Sequence, residues 1–472
     1  MLDRLASINP WWIDRAAIAQ DPQILRWTQA PLRWTPHLVS DMDLTAPAVY
    51  TLRGPRQVGK TTASKLMIQR SLRDAPHEEV LYYSCDLDKD PDAIREIVQA
   101  ARRLRPQAKR WRIFLDEVTS IPNWQAGVKW LRDNTPAATD TFVVTGSSSI
   151  DLAAGAERMP GRRGSVERPD RILLPLSFAD YARLHGLTPP AVLGLSEFFE
   201  PRAREALTEA SLRLADLRAL LDRYFHVGGF PTAVTTEAAT GSVSDAVLRD
   251  LWGLIEGELG KRGRDPLRAY RTLEHAVRTM GQRTHWTALG EALDTNYHAA
   301  EDYATLMARA FALLVLYKYE LHRGGPQLRA EKKLYVVDPL LAYIPRRVRQ
   351  VGLRPEAPAL AETAVAIALF RSDEQPLIEQ FALPQGLFYW RSQSGGEVDF
   401  LVGHGAIADR IPIEVKYQTT ITGRDLAAMR RSFARGLLIT IDALDLDHPP
   451  FLQIPATLFL WLLGGEHVTP AV

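Results

Sequence analysis

The run GPRQVGKTT (54–62) sets glycines at 54 and 59 ahead of a lysine and two threonines, the spacing G-x-x-x-x-G-K-[ST] of a phosphate-cradling P-loop. Glycine lets the backbone wrap closely around an anion, and successive N–H groups and a helix start then point at it. Gly54, Pro55, Arg56, Gln57, Val58, Gly59, Lys60, Thr61 and Thr62 are therefore expected against the phosphates of ATP. Lys60 would bring a mobile positive charge to the β- and γ-phosphates, and the Thr61 hydroxyl would face Mg2+. IFLDE (113–117) ends an apolar run in two acids. Asp116 fits the acid that helps hold Mg2+, and Glu117 the one that activates water. TGSSS (145–149) closes a further apolar run, and Thr145 and Ser147 are candidates to orient that water; the plainer reading is a helix N-cap. In GRRG (161–164), Arg162 is favoured over Arg163 to reach a neighbouring subunit's ATP, where an arginine stabilises transition-state charge. A solvated or DNA-facing charge is the alternative.

A second constellation lies near the C-terminus. Asp399 closes EVDF, and Glu414 and Lys416 stand two apart on IPIEVKY, which puts both on one face of a strand. Asp399 and Glu414 would hold Mg2+, a hard cation that prefers oxygen. Lys416 would orient water and offset phosphate charge. Glu362, on a preceding helical stretch, is a further acidic ligand candidate. An exposed charged pair on a strand explains E-x-K equally well when it stands alone.

These residues need elements to hold them. AVYTLR (48–53), EVLYYSCD (79–86), WRIFLD (111–116) and TFVVTG (141–146) are apolar, strand-like runs. They alternate with helical stretches, including Lys60 to Arg73 and NWQAGVKWLRDN (123–134). That pattern predicts a parallel sheet covered by helices, an α/β fold. Residues 196–263 read as helices broken by VGGFP (227–231). Helical stretches from 267, then strands YKYEL (317–321) and KLYVVD (333–338), follow the order of a winged helix. Beyond these come a helix at 360–372, a hairpin of GLFYWRS (386–392) with EVDFLVG (397–403), and strands RIPIEVKY and RGLLITID (435–442). Trp11, Trp12, Trp27 and Trp34 in residues 1–45 suggest helices docked on the body rather than stacked on bases.

The 472 residues suffice for several domains. A net charge of +1 excludes a global basic field, so any nucleic-acid surface is local. ARRLRPQAKRWR (101–112) and PRRVRQVGLR (345–354) are the candidate phosphate-tracking runs. The helix-turn-helix stretch at 285–311 carries Glu301 and Asp302 early in its second helix, which disfavours groove reading. The lone Cys85 rules out a disulfide within the chain and a cysteine-based zinc site. FALLVLY (311–317), among the longest apolar patches, is far too short for a membrane span. A cytoplasmic protein without membrane contact is expected.

In order, GPRQVGKTT, IFLDEVTSIPNW, TGSSS, GRR, LPLSFADY (174–181), YFHVGGFP (224–231), KKLYVVDPLL (332–341), LFYWRSQSGGEVDF (387–400) and IPIEVK (411–416) resemble a family of prokaryotic AAA-type ATPases whose C-terminal domain is related to restriction endonucleases. The resemblance runs from about 46 to 420. After the N-terminal helical segment (1–45), it implies a P-loop AAA-type core (46–190), a helical lid (191–265), a winged helix (266–345) and a PD-(D/E)XK nuclease-like α/β domain (346–472). It also implies that Pro231 packs near the nucleotide. The glutamine–asparagine pair usual after the two acids is replaced by Val118, Thr119 and Ser120, and the arginine motif is doubled. The resulting expectation is a homo-oligomeric, Mg2+-dependent ATP hydrolase acting on DNA in repair, recombination or defence, with DNA cleavage as a subordinate activity. The alternative is a nucleotide-switched regulator of protein assembly that does not act on DNA.

Overall fold

The computed structural model describes residues 2–350, 352–372, 381–392, 395–418, 421–422 and 426–464. Val351 of the second basic run, and Gln393 and Ser394 of LFYWRSQSGGEVDF, lie outside them. The chain forms two compact units, Met1–Leu174 and Pro175–Val472.

In the first unit the apolar runs become β1 (Ala48–Arg53), β2 (Val80–Ser84), β3 (Arg112–Asp116), β4 (Thr141–Thr145) and β5 (Asp170–Ile172). They form one parallel sheet in the order β2-β3-β4-β1-β5. β1 and β4 are buried throughout, as a sheet covered by helices on both faces requires. Inserting β4 between β1 and β3 brings three strand ends together. Leu52 stands opposite Thr145, and Ser84 opposite Asp116. Sites in such sheets form beyond the carboxyl ends of the strands.

β2 is an edge strand, and the N-terminal segment closes it. Asn9 mimics a strand partner: its amide donates to Tyr82 O (3.0 Å) and accepts from Tyr82 N (2.7 Å). The Trp11 and Trp12 indoles both donate to Val80 O, at 2.9 and 2.8 Å. Both tryptophans are buried, so docking on the body is what these residues do. Pairing the free edge also removes a template for aggregation.

The second unit holds the helices Pro201–Ser211, Leu214–Val227, Pro231–Thr240 and Asp245–Gly260. They are followed by Pro266–Arg278, Trp286–Ala292 and Tyr297–Arg309. A three-stranded antiparallel sheet comes next, β6 (Arg283–Thr284), β7 (Leu313–Tyr317) and β10 (Lys332–Val336), with β10 central. The expected hairpin strand YKYEL is corrected here. The strand is LLVLY, buried at every position and paired with KKLYV. Tyr319 and Glu320 instead form β8, paired with β9 (Gly325–Pro326). The uninterrupted apolar run wins the pairing with the central strand because it removes the most apolar surface from water.

The C-terminal sheet has the order β11-β12-β13-β14-β15, comprising Leu387–Arg391, Glu397–Val402, Ile411–Lys416, Gly436–Thr440 and Phe451–Pro455. The pairings from β11 through β13 are antiparallel and those from β13 through β15 parallel. The helix Ala357–Ser372 packs against β13 and β10, so the two sheets of this unit share a neighbour.

Three of the quoted motifs meet at one glycine pair in this unit. Asp338 accepts from Gly229 N (2.7 Å) and Leu340 N (3.0 Å), and Leu176 N donates to Gly229 O (2.7 Å). A side chain at Gly229 would meet Leu176 O at 2.1 Å, and one at Gly228 (φ +67°) would meet Asp338 Oδ1 at 2.0 Å. Close backbone approach therefore explains GGFP, and Pro231 opens the helix that follows.

Candidate functional site

The P-loop leaves β1 and enters the helix Lys60–Asp74. Gly54 must be glycine for packing: a Cβ there would lie 2.1 Å from Leu173 O. Gly59 must be glycine for conformation, at φ +95°, and a Cβ there would meet nothing within 4 Å. The cradle on that side is open, as a phosphate requires. The Lys60 ammonium donates to the carbonyls of Gly54 (3.0 Å) and Pro55 (2.9 Å). Arg56 reaches Ser147 O at 3.4 Å, and Gln57 takes a positive φ of 62° in the loop.

The Thr61 hydroxyl donates to Asp116 Oδ2 at 2.7 Å, and that of Thr145 to Asp116 Oδ1. Asp116, the end of β3, therefore sits between the residues proposed for metal and water. The hydroxyl–carboxylate–hydroxyl set is hard oxygen, the donor chemistry Mg2+ takes. With the open cradle beside it, the set fits a Mg2+–nucleotide. Glu117 follows in the left-handed region, at φ 57°, a conformation rare for a residue with a Cβ. That twist turns its carboxylate onto the backbone N–H of Ser147, while its own N–H donates to Thr145 Oγ1 at 3.3 Å. Burial, and next the Asp116 charge, raise the Glu117 carboxyl above the ordinary carboxylate range. Ser147 is thus placed through its backbone, and Ser148 is the N-cap of the helix Ser149–Glu157. Thr119, one of the departures from the family pattern, packs against Gly146, where a Cβ would come within 2.6 Å of it.

Arg163 is tied to Asp170 (2.6 Å) and to Val49 O inside the sheet. Arg162 is the more exposed of the two and lies on Asp133, with Nε 2.9 Å from both carboxylate oxygens.

Tyr82 was not legible as a site residue. Its hydroxyl donates to Asp116 Oδ2 at 3.2 Å, and its ring lies 3.2 Å from the Lys65 ammonium, which pairs with Asp21 at 3.0 Å. Burial lowers the Lys65 pKa against the pull of Asp21. The N-terminal segment thereby reaches Asp116 through a buried ion pair and one phenol. Tyr82→Phe removes a hydrogen bond to a charged acceptor, an interaction of about 1.5–3 kcal/mol. The expected result is an ATPase rate about tenfold lower with an unchanged fold, read by steady-state turnover across a Mg2+ titration. An unaltered rate and Mg2+ dependence would remove Tyr82 from the site.

In the second unit, Asp399, Glu414 and Lys416 do converge. Glu414 Oε1 lies 2.5 Å from the Lys416 ammonium, and its Oε2 accepts from Asp399 N at 3.2 Å. Asp399 Oδ2 accepts from Val415 N at 2.9 Å. The other Asp399 oxygen is taken by a residue the motif reading did not include. The Lys333 ammonium, on β10, stands 2.7 Å from Asp399, 3.2 Å from Glu397 and 3.5 Å from Glu362. Tyr335, two residues on and on the same face, donates to Glu362 at 2.6 Å. Burial and then Asp399 push Glu362 up to about 7 and Glu414 up to about 8. Burial would also raise Asp399, but Lys333 and then Lys416 outweigh it and hold that carboxyl low. Among the described residues, no group of three or more His, Cys, Asp or Glu is arranged to hold a metal. In this conformation ammonium groups face both carboxylates, Lys333 on Asp399 and Lys416 on Glu414. The sequence signal for Lys333 was available. In a chain with ten lysines among 57 Lys and Arg, a KKLY strand keeps two.

Part of each basic run is neutralised within the fold, while Arg103, Lys109 and Arg110 stay exposed. Arg102 pairs with Asp140, Arg112 with Asp74 and Arg347 with Asp245, while Arg105 covers the Trp12 ring. Among the described residues no helix is long and apolar enough to cross a membrane.

The parallel sheet, the P-loop and the acid at the end of β3 define a P-loop ATPase domain of the AAA type, and residues 46–182 match the AAA domain family. Residues 218–349 and 358–445 match two families described as domains of unknown function, DUF8612 and DUF4143. Uncharacterized proteins of Mycobacterium tuberculosis and Mycobacterium bovis are each 27% identical over 368 residues, covering 76% of this chain and 68% of theirs. Among solved structures, the Walker-type ATPase of Pyrococcus abyssi is similar at 13% identity and a TM-score of 0.40, over 71% of this chain and 95% of that one. The Aeropyrum pernix ORC2 protein is similar at 13% and 0.34, over 72% and 94%. The ORC1 protein of the same organism, solved in complex with DNA, is similar at 12% and 0.27, over 71% and 92%.

Proposed function

We propose that the chain is a Mg2+-dependent ATP hydrolase that acts on DNA, in repair, recombination or defence. The observation that carries the hydrolase is the meeting of Thr61, Thr145 and Tyr82 on Asp116 beside an open glycine cradle. Bound there, Mg2+ would offset phosphate charge. Lys60 would hold the β- and γ-phosphates, Thr61 and Asp116 would hold the metal, and Glu117 would take the proton of the attacking water. Arg162 would leave Asp133 for a neighbour's nucleotide, which makes the assembly a homo-oligomer completed in trans. The convergence of Asp399, Glu414 and Lys416 on a mixed sheet supports a PD-(D/E)XK-like domain contacting DNA. The helices and three-stranded sheet before it support a winged helix.

A second reading, a nucleotide-switched regulator of protein assembly, is favoured by the internal pairing of Arg102, Arg112 and Arg347, which takes charge away from phosphate contacts. Steady-state ATP turnover with Mg2+, without DNA and then with single-stranded, duplex and branched DNA, separates the two. Stimulation by one DNA form, falling steeply as salt rises because phosphate contacts release counterions, is the expected result. Turnover indifferent to every form would leave the regulator.

A further inference from the structure

We infer that Lys333 is a built-in cation of the C-terminal carboxylate pocket: its ammonium occupies the position a divalent metal would take, so the pocket as folded takes no Mg2+. The inference rests on the nuclease-like reading of the Asp399, Glu414 and Lys416 pocket, and it concerns how that pocket is regulated.

Three observations carry it. First, Lys333 is buried, with 2% of its side chain exposed, and three carboxylates, Asp399, Glu397 and Glu362, lie within 3.5 Å of its nitrogen. An uncompensated ammonium does not survive such burial, and neither do three unpaired carboxylates. The lysine and the acids are therefore mutually required. Second, the contact with Asp399 is direct, at 2.7 Å. Mg2+ needs carboxylate oxygens at about 2.0–2.1 Å in near-octahedral array. A divalent ion on that oxygen would press against a like charge in a medium that screens it poorly. Third, the lysine is delivered by a different sheet. Lys333 lies on β10, paired with β6 and β7, whereas Asp399 and Glu414 lie on β12 and β13. Its neighbour Lys332 points the opposite way, to Leu328 O (2.7 Å) and over the Trp286 ring. Tyr335 fixes Glu362 from the same strand. The β6-β10-β7 sheet thus supplies the cation to the β11–β15 sheet, and any movement of β10 that withdraws Lys333 would expose a vacant acidic pocket to a metal. The Lys416 ammonium remains on Glu414 in either case.

The test is Mn2+ uptake by the full chain without nucleotide, in an Asp116→Asn background that silences the first unit, followed by electron paramagnetic resonance and by melting temperature. Wild type at 333 and its Asp399→Asn variant are expected to take up the same amount of Mn2+. Lys333→Met, similar in length and without charge, is expected to gain a further bound Mn2+, and to lose it again when Glu414→Gln is added. Lys333→Arg keeps the charge and gains none. If Lys333→Met is unfolded in chelator, Mn2+ is expected to restore its melting transition while leaving wild type unmoved. The inference is overturned if Asp399→Asn lowers the Mn2+ uptake of the chain that still has Lys333, or if Lys333→Met neither gains Mn2+ nor is restored by it. Because the readout is metal rather than DNA, loss of the DNA reading in the turnover experiment leaves this result standing, and the converse also holds.

Discussion

Lys60→Ala loses ATP turnover, with kcat falling by at least about 10²–10³-fold, the scale for removing one pre-organised donor from developing charge. The size of the effect follows from how the lysine is held. Its ammonium is already anchored by the carbonyls of Gly54 and Pro55 at 3.0 and 2.9 Å. The charge is therefore in place before substrate arrives, and little reorganisation remains at the moment of reaction. Alanine keeps helix propensity at the start of Lys60–Asp74 and removes two hydrogen bonds of about 1 kcal/mol each. The fold should persist, with a melting temperature a few degrees lower and an unchanged far-ultraviolet dichroism spectrum. Lys60→Arg separates charge from shape: a planar fork on this short tether does not reproduce a point charge, so it too should be slow. Wild-type turnover in Lys60→Ala, measured on folded protein, would end the assignment of the site.

Glu117→Gln is the second large effect. The general base contributes about 10²–10⁴ in rate, so kcat should fall on that scale while ATP affinity stays near wild type. Glutamine retains an acceptor oxygen for the Ser147 amide, so the left-handed turn at φ 57° and the loop above it keep their geometry. The pH profile adds a signature. The Glu117 carboxyl is raised above its ordinary value of 4.5, first by burial and then by Asp116. A raised acid accepts its proton earlier as pH falls. The wild-type rate should therefore begin to drop at a pH above 4.5 as acid is added and this carboxylate is protonated. Glu117→Gln should show a low rate without that limb. An acid limb preserved in the glutamine variant, at whatever rate, would give the role to another group.

The elements around the nucleotide site were legible because each carries a local signal. Gly54 and Gly59 announce a backbone path that side chains forbid, and β1, β3 and β4 are continuous apolar runs, the mark of strands buried on both faces. The hairpin was misread because local preference saw the tyrosines of YKYEL, while burial chose LLVLY. The basic runs were legible as charge, and their partners were not: Asp140 and Asp245 lie far from Arg102 and Arg347 in the chain.

The P-loop and the acid pair Asp116 and Glu117 could be read from the chain alone, because residue types and short spacings specify their geometry. Asp399 and the Glu414–Lys416 pair were legible only as residue types on two successive strand-like runs, and their convergence was not. Only the tertiary structure decided that Tyr82 braces Asp116, that Ser147 acts through its amide, and that Lys333 fills the carboxylate pocket. Those contacts join residues 30 to 66 apart in the chain: Glu117 with Ser147, Tyr82 with Asp116, and Lys333 with Asp399. They form because a buried charge or hydroxyl must find a partner in three dimensions, and which partner it finds is set by the packing of sheets rather than by the order of residues.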